Sequence, residues 1–339
     1  QEEYAGAESL DFQAMVYGAI KGMVGSLDDP YTTFLTPDDT KIFLDDISGS
    51  FSGIGIEIGI RDEKLQVIAP LEGTPAEKAG LRAGDHIVKI DKDAFTSDLS
   101  IDEAVTLIRG PEGTTVLLSI MREGWEEPRD FSIVRAIISI PSLKLEFKGN
   151  RIAYLKIFQF SEQLRSDFED IEEDLFKSSD KIIIDLRNNP GGFLHVAVDI
   201  AGWFLERGDV VVIEDFGSGQ EQEVHKARGS ARLYGKKVVV LINGGTASAS
   251  EILAGALRDN RGVLLIGEKS FGKGSVQELK ELKDESSLKI TVAKWLTPKG
   301  SLIAEQGLEP DVKVELTDED LDERKDPQLD KAIEVLNNL

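Results

Sequence analysis

Apolar and polar positions change rhythm three times along the 339-residue chain. Over residues 9–47 the spacing of Met15, Ile20 and Met23 predicts a helix, broken at "LDDPYTTFLTPDDT" and restarted where Thr36-Pro37 precedes acidic residues. From about residue 49 the period falls to two, in "GIGIEIGI", "LQVIAPL", "HIVKID" and "TTVLLSIM". One segment there keeps helical spacing, with Ile101, Ala104, Val105 and Ile108 at i, i+3, i+4 and i+7. A mostly β domain with a helix packed on it follows for residues 49–135.

Beyond it, "RIAYLKIFQF", "KIIIDLRNN", "KVVVLINGG" and "VLLIGEKS" are nearly continuous apolar strands. They alternate with helical "HVAVDIAGWFL" and "SEILAGALRD", a pattern that implies a parallel or mixed sheet with helices on its faces. The tail is acidic and then amphipathic through Leu329, Ile333 and Leu336, which suits a helix docked on the core or on a partner. The expected class is a multidomain α/β (α+β) protein. Its expected divisions are a helical segment at 1–48, the β domain at 49–135, an α/β core at 136–316 and a helical tail at 317–339.

Composition narrows the chemistry. Lys and Arg number 39 against 62 Asp and Glu, a formal charge of −23 that would repel a phosphate backbone, so no nucleic-acid partner is expected. The absence of cysteine removes disulfides, thiolate metal sites and a Cys nucleophile, and three histidines do not suit a His-rich metal cage. No apolar run approaches 18 residues, and the opening "QEEYAGAESLDFQ" lacks the basic and apolar regions of a signal peptide. The chain opens without Met. A trimmed targeting segment, which would tether the protein to a membrane, and a cloning boundary both account for that.

The stretch "GGTASASEILAGALRD" crowds Thr246, Ser248 and Ser250 into a helix entrance. Ser248 and Glu251 have capping-box spacing, which explains them without chemistry. Yet the helix follows strand "KVVVLI", so Ser248 would sit at the C-terminal edge of a sheet, beside first-turn N–H groups suited to developing negative charge.

A serine hydroxyl needs a base. Alternation puts His86 on a solvent face, His225 lies in a polar stretch, and His195 in "FLHVAVD" is flanked by apolar residues that suggest a buried structural role. The alternative is a lysine kept neutral by burial. Lys273 lies between two glycines in "SFGKGSVQ", whereas Lys269 follows Glu268 and would stay ionised; on chemistry alone either reads first as a surface lysine.

The blocks "GSLDDPYTTFLTPDD", "GSFSGIGIEIG", "GTPAEKAGLRAGDHIVKID", "IRGPEGTTV", "IIDLRNNPGGFL", "GGTASASEILAGALRD" and "GEKSFGKGSVQ" resemble, in order, those of the carboxy-terminal processing peptidases, or tail-specific proteases. They cover roughly residues 10–315. The resemblance implies a Ser/Lys endopeptidase with Ser248 as nucleophile, Lys273 as base and Gln277 orienting the lysine. The amide of Ala249 and one from Gly191 or Gly192 would form the oxyanion hole. It also implies a crotonase/Clp-like mixed sheet for the core and no cofactor or metal. Thr246 and Arg258-Asp-Asn depart from the family's frequent residues at positions outside the chemistry.

The β domain resembles a PDZ domain, which binds peptide C-termini by strand addition. Its carboxylate loop would be Phe51, Ser52, Gly53, Ile54 and Gly55, and Ile54, Ile56, Val105 and Ile108 would form the pocket for the last side chain. Arg109 would either cap its helix or reach the peptide or the protease core. The implied partners are proteins or peptides with free C-termini, the implied location is periplasmic or otherwise extracytoplasmic, and a homo-oligomer is left open. Two other readings compete: a catalytically silent PDZ scaffold, and a crotonase-like acyl-thioester enzyme, for which no Glu pair follows the "NPGG" turn.

Overall fold

In a computed structural model the described residues are 11–339 except 30, 62–63, 72, 92–93, 100, 140, 218, 305, 318, 321–322 and 324. The chain divides into two compact units, Ser48–Ile140 and a larger one joining Gln1–Ile47 to Pro141–Leu339. The boundary expected at 135 therefore moves. Strand Ala136–Ser139 returns to pair antiparallel with Ser50–Gly53, and this long-range pairing keeps it in the smaller unit. The segments expected to stand apart at the two ends both belong to the larger unit.

The larger unit is built on a six-stranded sheet in the order Leu143–Lys148, Ile152–Ile157, Lys181–Asp185, Lys237–Ile242, Leu264–Gly267, Val312–Lys313. Only the first pairing is antiparallel. Continuous apolar strands require cover on both faces, and alternate side chains divide accordingly. Leu155, Ile182, Ile184, Val238, Val240 and Leu265 face a core shared with the helices Gln163–Ser178, Leu194–Phe204 and Ala249–Arg261. Tyr154, Ile183, Val239, Leu241 and Ile266 face Ala332 and Leu336 of the terminal helix Pro327–Asn338. The tail helix thus docks on its own core. Arg187 fastens it, bonding both oxygens of Asp326 at 2.8 Å and the buried Asp185 at 2.7 Å.

A second sheet carries Thr33–Leu35, Ser287–Leu296, Val210–Asp215 and Glu223–Lys226, with Ser275–Glu281 also paired to Ser287–Leu296. The helix Phe12–Gly25 leads into it, but its expected apolar stripe is not buried: Met15 is 54% and Met23 68% exposed, and Val24 is the buried residue. The next helix, Pro37–Ser48, starts as the sequence suggests, with Thr36 and Asp39 exchanging hydrogen bonds at 3.2 and 3.3 Å.

The smaller unit orders Ile56–Arg61, Lys64–Pro70, His86–Ile90, Thr115–Met121 and Arg129–Val134 in one antiparallel sheet. Period-two burial is clean in Thr115–Met121, where Val116, Leu118 and Ile120 are inside. Helix Ile101–Ile108 lays Ala104 and Ile108 on that core, while Ile101 stays 37% exposed at the helix start.

Candidate active site

Three adjacent parallel strands each deliver one part of the site at their C-terminal ends, the edge where open α/β sheets place their chemistry. Lys181–Asp185 leads to the turn at Gly191-Gly192, Lys237–Ile242 to Ser248, and Leu264–Gly267 to Lys273. Hydrogen bonds between the loops hold these parts in register. Ala247 N–H donates to the Asn189 carbonyl at 3.0 Å, and Phe271 N–H to the Thr246 carbonyl at 2.9 Å. Ser248, Lys273, Gln277, Gly191 and Gly192 line one cleft of about 600 Å³.

Of the three crowded hydroxyls only Ser248 lines that cleft. Thr246 Oγ1 donates to the Leu186 carbonyl at 2.8 Å and Ser250 Oγ to the Asn189 carbonyl at 3.1 Å, both buried. Ser248 holds φ 56° and ψ −119°, left-handed backbone that a side chain rarely adopts and that costs about 1–3 kcal/mol. Its Oγ stands in capping-box position but makes no hydrogen bond of good geometry, whereas Glu251 completes its half by accepting the Ser248 N–H at 2.9 Å.

Glu251 also reaches the loop that carries Lys273. Fully buried, its carboxylate accepts the Ser270 hydroxyl at 2.6 Å and the Gly272 N–H at 2.8 Å. Burial raises its pKa, opposed by those hydrogen bonds. Lys273 itself is half-buried, with Nζ 5.8 Å from the Tyr31 ring centre. Burial lowers its pKa, and the charge of Lys289 pushes in the same direction against the pull of Glu251. Glycine is required beside it, because a Cβ at Gly274 would collide with the backbone of Ala304. The rival Lys269 is exposed and ion-paired to Glu309 at 3.0 Å.

The turn opposite is equally tight. Gly191 and Gly192 have φ of 102° and 138°, and a Cβ on Gly191 would meet Ser248 Cβ at 2.7 Å. The Gly191 N–H is committed to Asn189 Oδ1 at 2.9 Å. Gly192, packed against the Phe160 backbone, is therefore the donor this turn has left, while Gly191 is the glycine that abuts Ala249. Gln277 lines the cleft as expected, yet its Nε2 donates to Ser275 Oγ at 2.9 Å and not towards the lysine.

His195 corrects the sequence reading. Its side chain is 59% exposed on the cleft rim and meets Glu162 at 3.0 Å, because the helix turns its apolar neighbours Val196 and Ala197 inward and leaves position 195 outside. Lys289, Trp295 and the apolar wall of Phe43, Leu44 and Ile47 also border the cleft and carried no sequence motif.

The smaller unit has a pocket of its own, about 60 Å³, lined by Gly53, Ile54, Gly55, Ile56, Val105, Ile108 and Arg109 together with Phe51 and Ile58. Ser52 is not among these residues and has its hydroxyl buried in strand Ser50–Gly53. Gly55 is at φ 77°, with Thr74 Cβ 2.5 Å from where a Cβ would stand. Arg135 donates to the helix-end carbonyls of Ile108 and Leu107 at 2.9 Å, and the Arg109 guanidinium stacks 4.5 Å from the Phe51 ring centre. His86 in this unit is half-buried, with Nδ1 enclosed, rather than on a solvent face.

Residues 151–314 match Peptidase family S41, and residues 66–122 match the PDZ domain family. Over 312 residues the chain is 42% identical to carboxy-terminal processing protease CtpA of Bacillus subtilis (strain 168), covering 92% of this chain and 66% of that protein. It is 40% identical over 314 residues to the carboxy-terminal-processing protease of Bartonella bacilliformis, covering 90% and 70% respectively. The chain thus spans about two thirds of the length of these relatives. Among solved structures it is similar to the photosystem II D1 C-terminal processing protease, with TM-score 0.57 and 30% identity over 90% of this chain and 83% of the other.

Proposed function

The chain belongs to the carboxy-terminal processing proteases of peptidase family S41, and from that premise we propose that it is a Ser/Lys endopeptidase acting on proteins recognised by their C-termini. Neutral Lys273 takes the Ser248 proton as Oγ attacks a peptide carbonyl. The carbonyl oxygen becomes an oxyanion held by the amides of Ala249 and Gly192, with Gly191 shaping the turn. Collapse expels the amine with the proton from Lys273 and leaves an acyl-enzyme. Water, deprotonated by Lys273, then releases the new C-terminus and frees Ser248.

The observation that supports this reading best is a strained serine and a half-buried lysine of lowered pKa lining one cleft from adjacent strand ends. The missing hydrogen bond from Gln277 to the lysine suits a resting geometry that tightens with substrate. In the smaller unit, the pocket between Ile56 and Ile108 would take the last side chain of the substrate, and Arg109 would meet its carboxylate.

A serine-directed acylating probe tests the chemistry and a peptide pair tests the recognition. Labelling should fall on Ser248 and be lost in Lys273→Ala, and a peptide with a free C-terminus should be cleaved faster than its amide. Probe labelling elsewhere, or turnover retained in Ser248→Ala, would refute the dyad; equal rates for both peptides would refute recognition through the C-terminus.

A further inference from the structure

Strands Val210–Asp215 and Glu223–Lys226 pair so that Glu214 stands opposite Glu223. His225 is two residues along from Glu223, and the strand period puts it on the same face. The three side chains converge there. His225 Nε2 lies 2.9 Å from Glu214 Oε1 and 3.9 Å from Glu223 Oε1, and one ligand atom from each residue falls within 4.8 Å of the others.

Charge makes the cluster unusual. Glu214 is only 8% exposed, and among the described residues no lysine or arginine pairs with it or with Glu223. A buried carboxylate without a counter-charge is costly. His225 shares a 2.9 Å hydrogen bond with it, and a cation at the cluster would supply the charge.

The geometry fits the cation. Zinc bonds of about 2.0–2.2 Å to nitrogen and oxygen put neighbouring tetrahedral ligand atoms roughly 3.4 Å apart. The observed 2.9 and 3.9 Å bracket that separation, so small side-chain rotations would complete the site. Glu223 is exposed and leaves an entry path, while the Trp295 ring stands edge-on to His225 with ring centres 6.3 Å apart. A nitrogen and two carboxylate oxygens form a set that zinc accepts with a fourth position open.

We propose that Glu214, Glu223 and His225 form a zinc site on the second sheet of the larger unit. Glu214 and Trp295 also line the catalytic cleft, and Glu214 is the one acidic side chain among the described residues that do so. Zinc there neutralises that carboxylate. The site does not depend on the peptidase reading, because binding is measured without substrate.

Zinc chloride titrated calorimetrically into the untagged full chain should show one ion bound, with a raised melting temperature. His225→Gln and Glu223→Gln should each weaken binding at least tenfold and abolish the thermal shift. Circular dichroism of the metal-free variants checks their folding, and Glu223→Gln changes an exposed residue, so the test stays decisive if His225→Gln unfolds. Three results overturn the proposal: no heat of binding in the wild type, equal affinity in wild type and Glu223→Gln, or binding lost only in His195→Gln, which would move the ion to the exposed His195–Glu162 pair.

Discussion

The Glu251 carboxylate accepts the Ser248 N–H at 2.9 Å with one oxygen and, with the other, holds the loop that carries Lys273 through Ser270 and Gly272. One buried side chain therefore spaces Ser248 and Lys273, the proposed nucleophile and base. Glu251 does not itself line the cleft, so its part is positioning.

Glu251→Gln keeps the shape but puts an amide donor against one of three donors. The mismatch leaves a buried N–H unpaired and should cost about 1–3 kcal/mol. Because the spacing of the dyad is what changes, kcat should fall while KM holds. Loss of KM with unchanged kcat would show that Glu251 acts elsewhere. Where burial raises the pKa of a carboxylate, the folded state binds a proton that the unfolded state has released, so stability falls as pH rises between the two values. That slope should vanish in Glu251→Gln.

Lys273 titrates in the opposite sense. With its pKa lowered by burial and then by Lys289, the neutral form grows as pH rises through that lowered value, and cleavage should rise with it. The unfolded chain keeps its proton longer, so stability also rises with pH from the lowered value up to the ordinary lysine range. Lys289→Met removes a neighbouring positive charge. It should raise the Lys273 pKa and move the ascending limb of kcat/KM to higher pH; an unmoved limb would mean that burial alone tunes the base.

Ser248 pays in backbone strain for its exposure, and substitution separates the two. Ser248→Ala and Ser248→Gly should both be inactive. Only the glycine relieves the positive φ, so it should be the more stable of the two, by roughly 1 kcal/mol after its extra chain entropy is subtracted. Ser250→Ala should stay active and lose about 1 kcal/mol through its buried bond to Asn189. Thermal melts and a peptide assay on the three variants check the set, and an active Ser248→Gly would reject the nucleophile.

The apolar strands and the helices between them were legible because sheet burial obeys a local period, and Ser248 and Lys273 because their neighbours form motifs. What escaped depends on contacts far apart in the chain. His195 was misread from its neighbours in line, when helical phase is what turns Val196 and Ala197 in and His195 out. Lys289 reaches the cleft only through the pairing of Ser287–Leu296 with Thr33–Leu35 and Ser275–Glu281. The boundary at 135 failed for the same reason, since nothing local in Ala136–Ser139 names Ser50–Gly53 as its partner.

Asp326 offers a test of the docked tail helix. Burial would raise its pKa, but the bonds from Arg187 overcome that and hold it below the ordinary value. A lowered carboxylate pKa contributes stability above the unfolded value, and that contribution is lost as pH falls through the folded one. Asp326→Asn should therefore cost about 1–3 kcal/mol at neutral pH, a figure at the low end because the side chain is 34% exposed. The gap from wild type should close in acid. A gap that persists at pH values below the carboxylate range would trace the loss to the hydrogen bond and not to the charge.

The stacking of Arg109 on Phe51 gives the last expectation. The guanidinium stands 4.5 Å from the ring centre in the lining of the smaller unit's pocket, and Arg135 bonds the helix-end carbonyls of Ile108 and Leu107. Under the proposed function the Arg109 guanidinium would meet the peptide carboxylate, a bond worth about 1.5–3 kcal/mol when one partner is ionised. In a Ser248→Ala background, which prevents turnover, Arg109→Ala should weaken binding of a labelled peptide with a free, apolar C-terminus by roughly ten- to a hundredfold. Phe51→Leu should weaken it less, since the charge remains but its support is lost. The amidated peptide should bind weakly to all three chains. If Arg109→Ala weakens the free and amidated peptides alike, the side chain serves the pocket's packing, and carboxylate recognition must come from the backbone amides around Gly53 and Gly55.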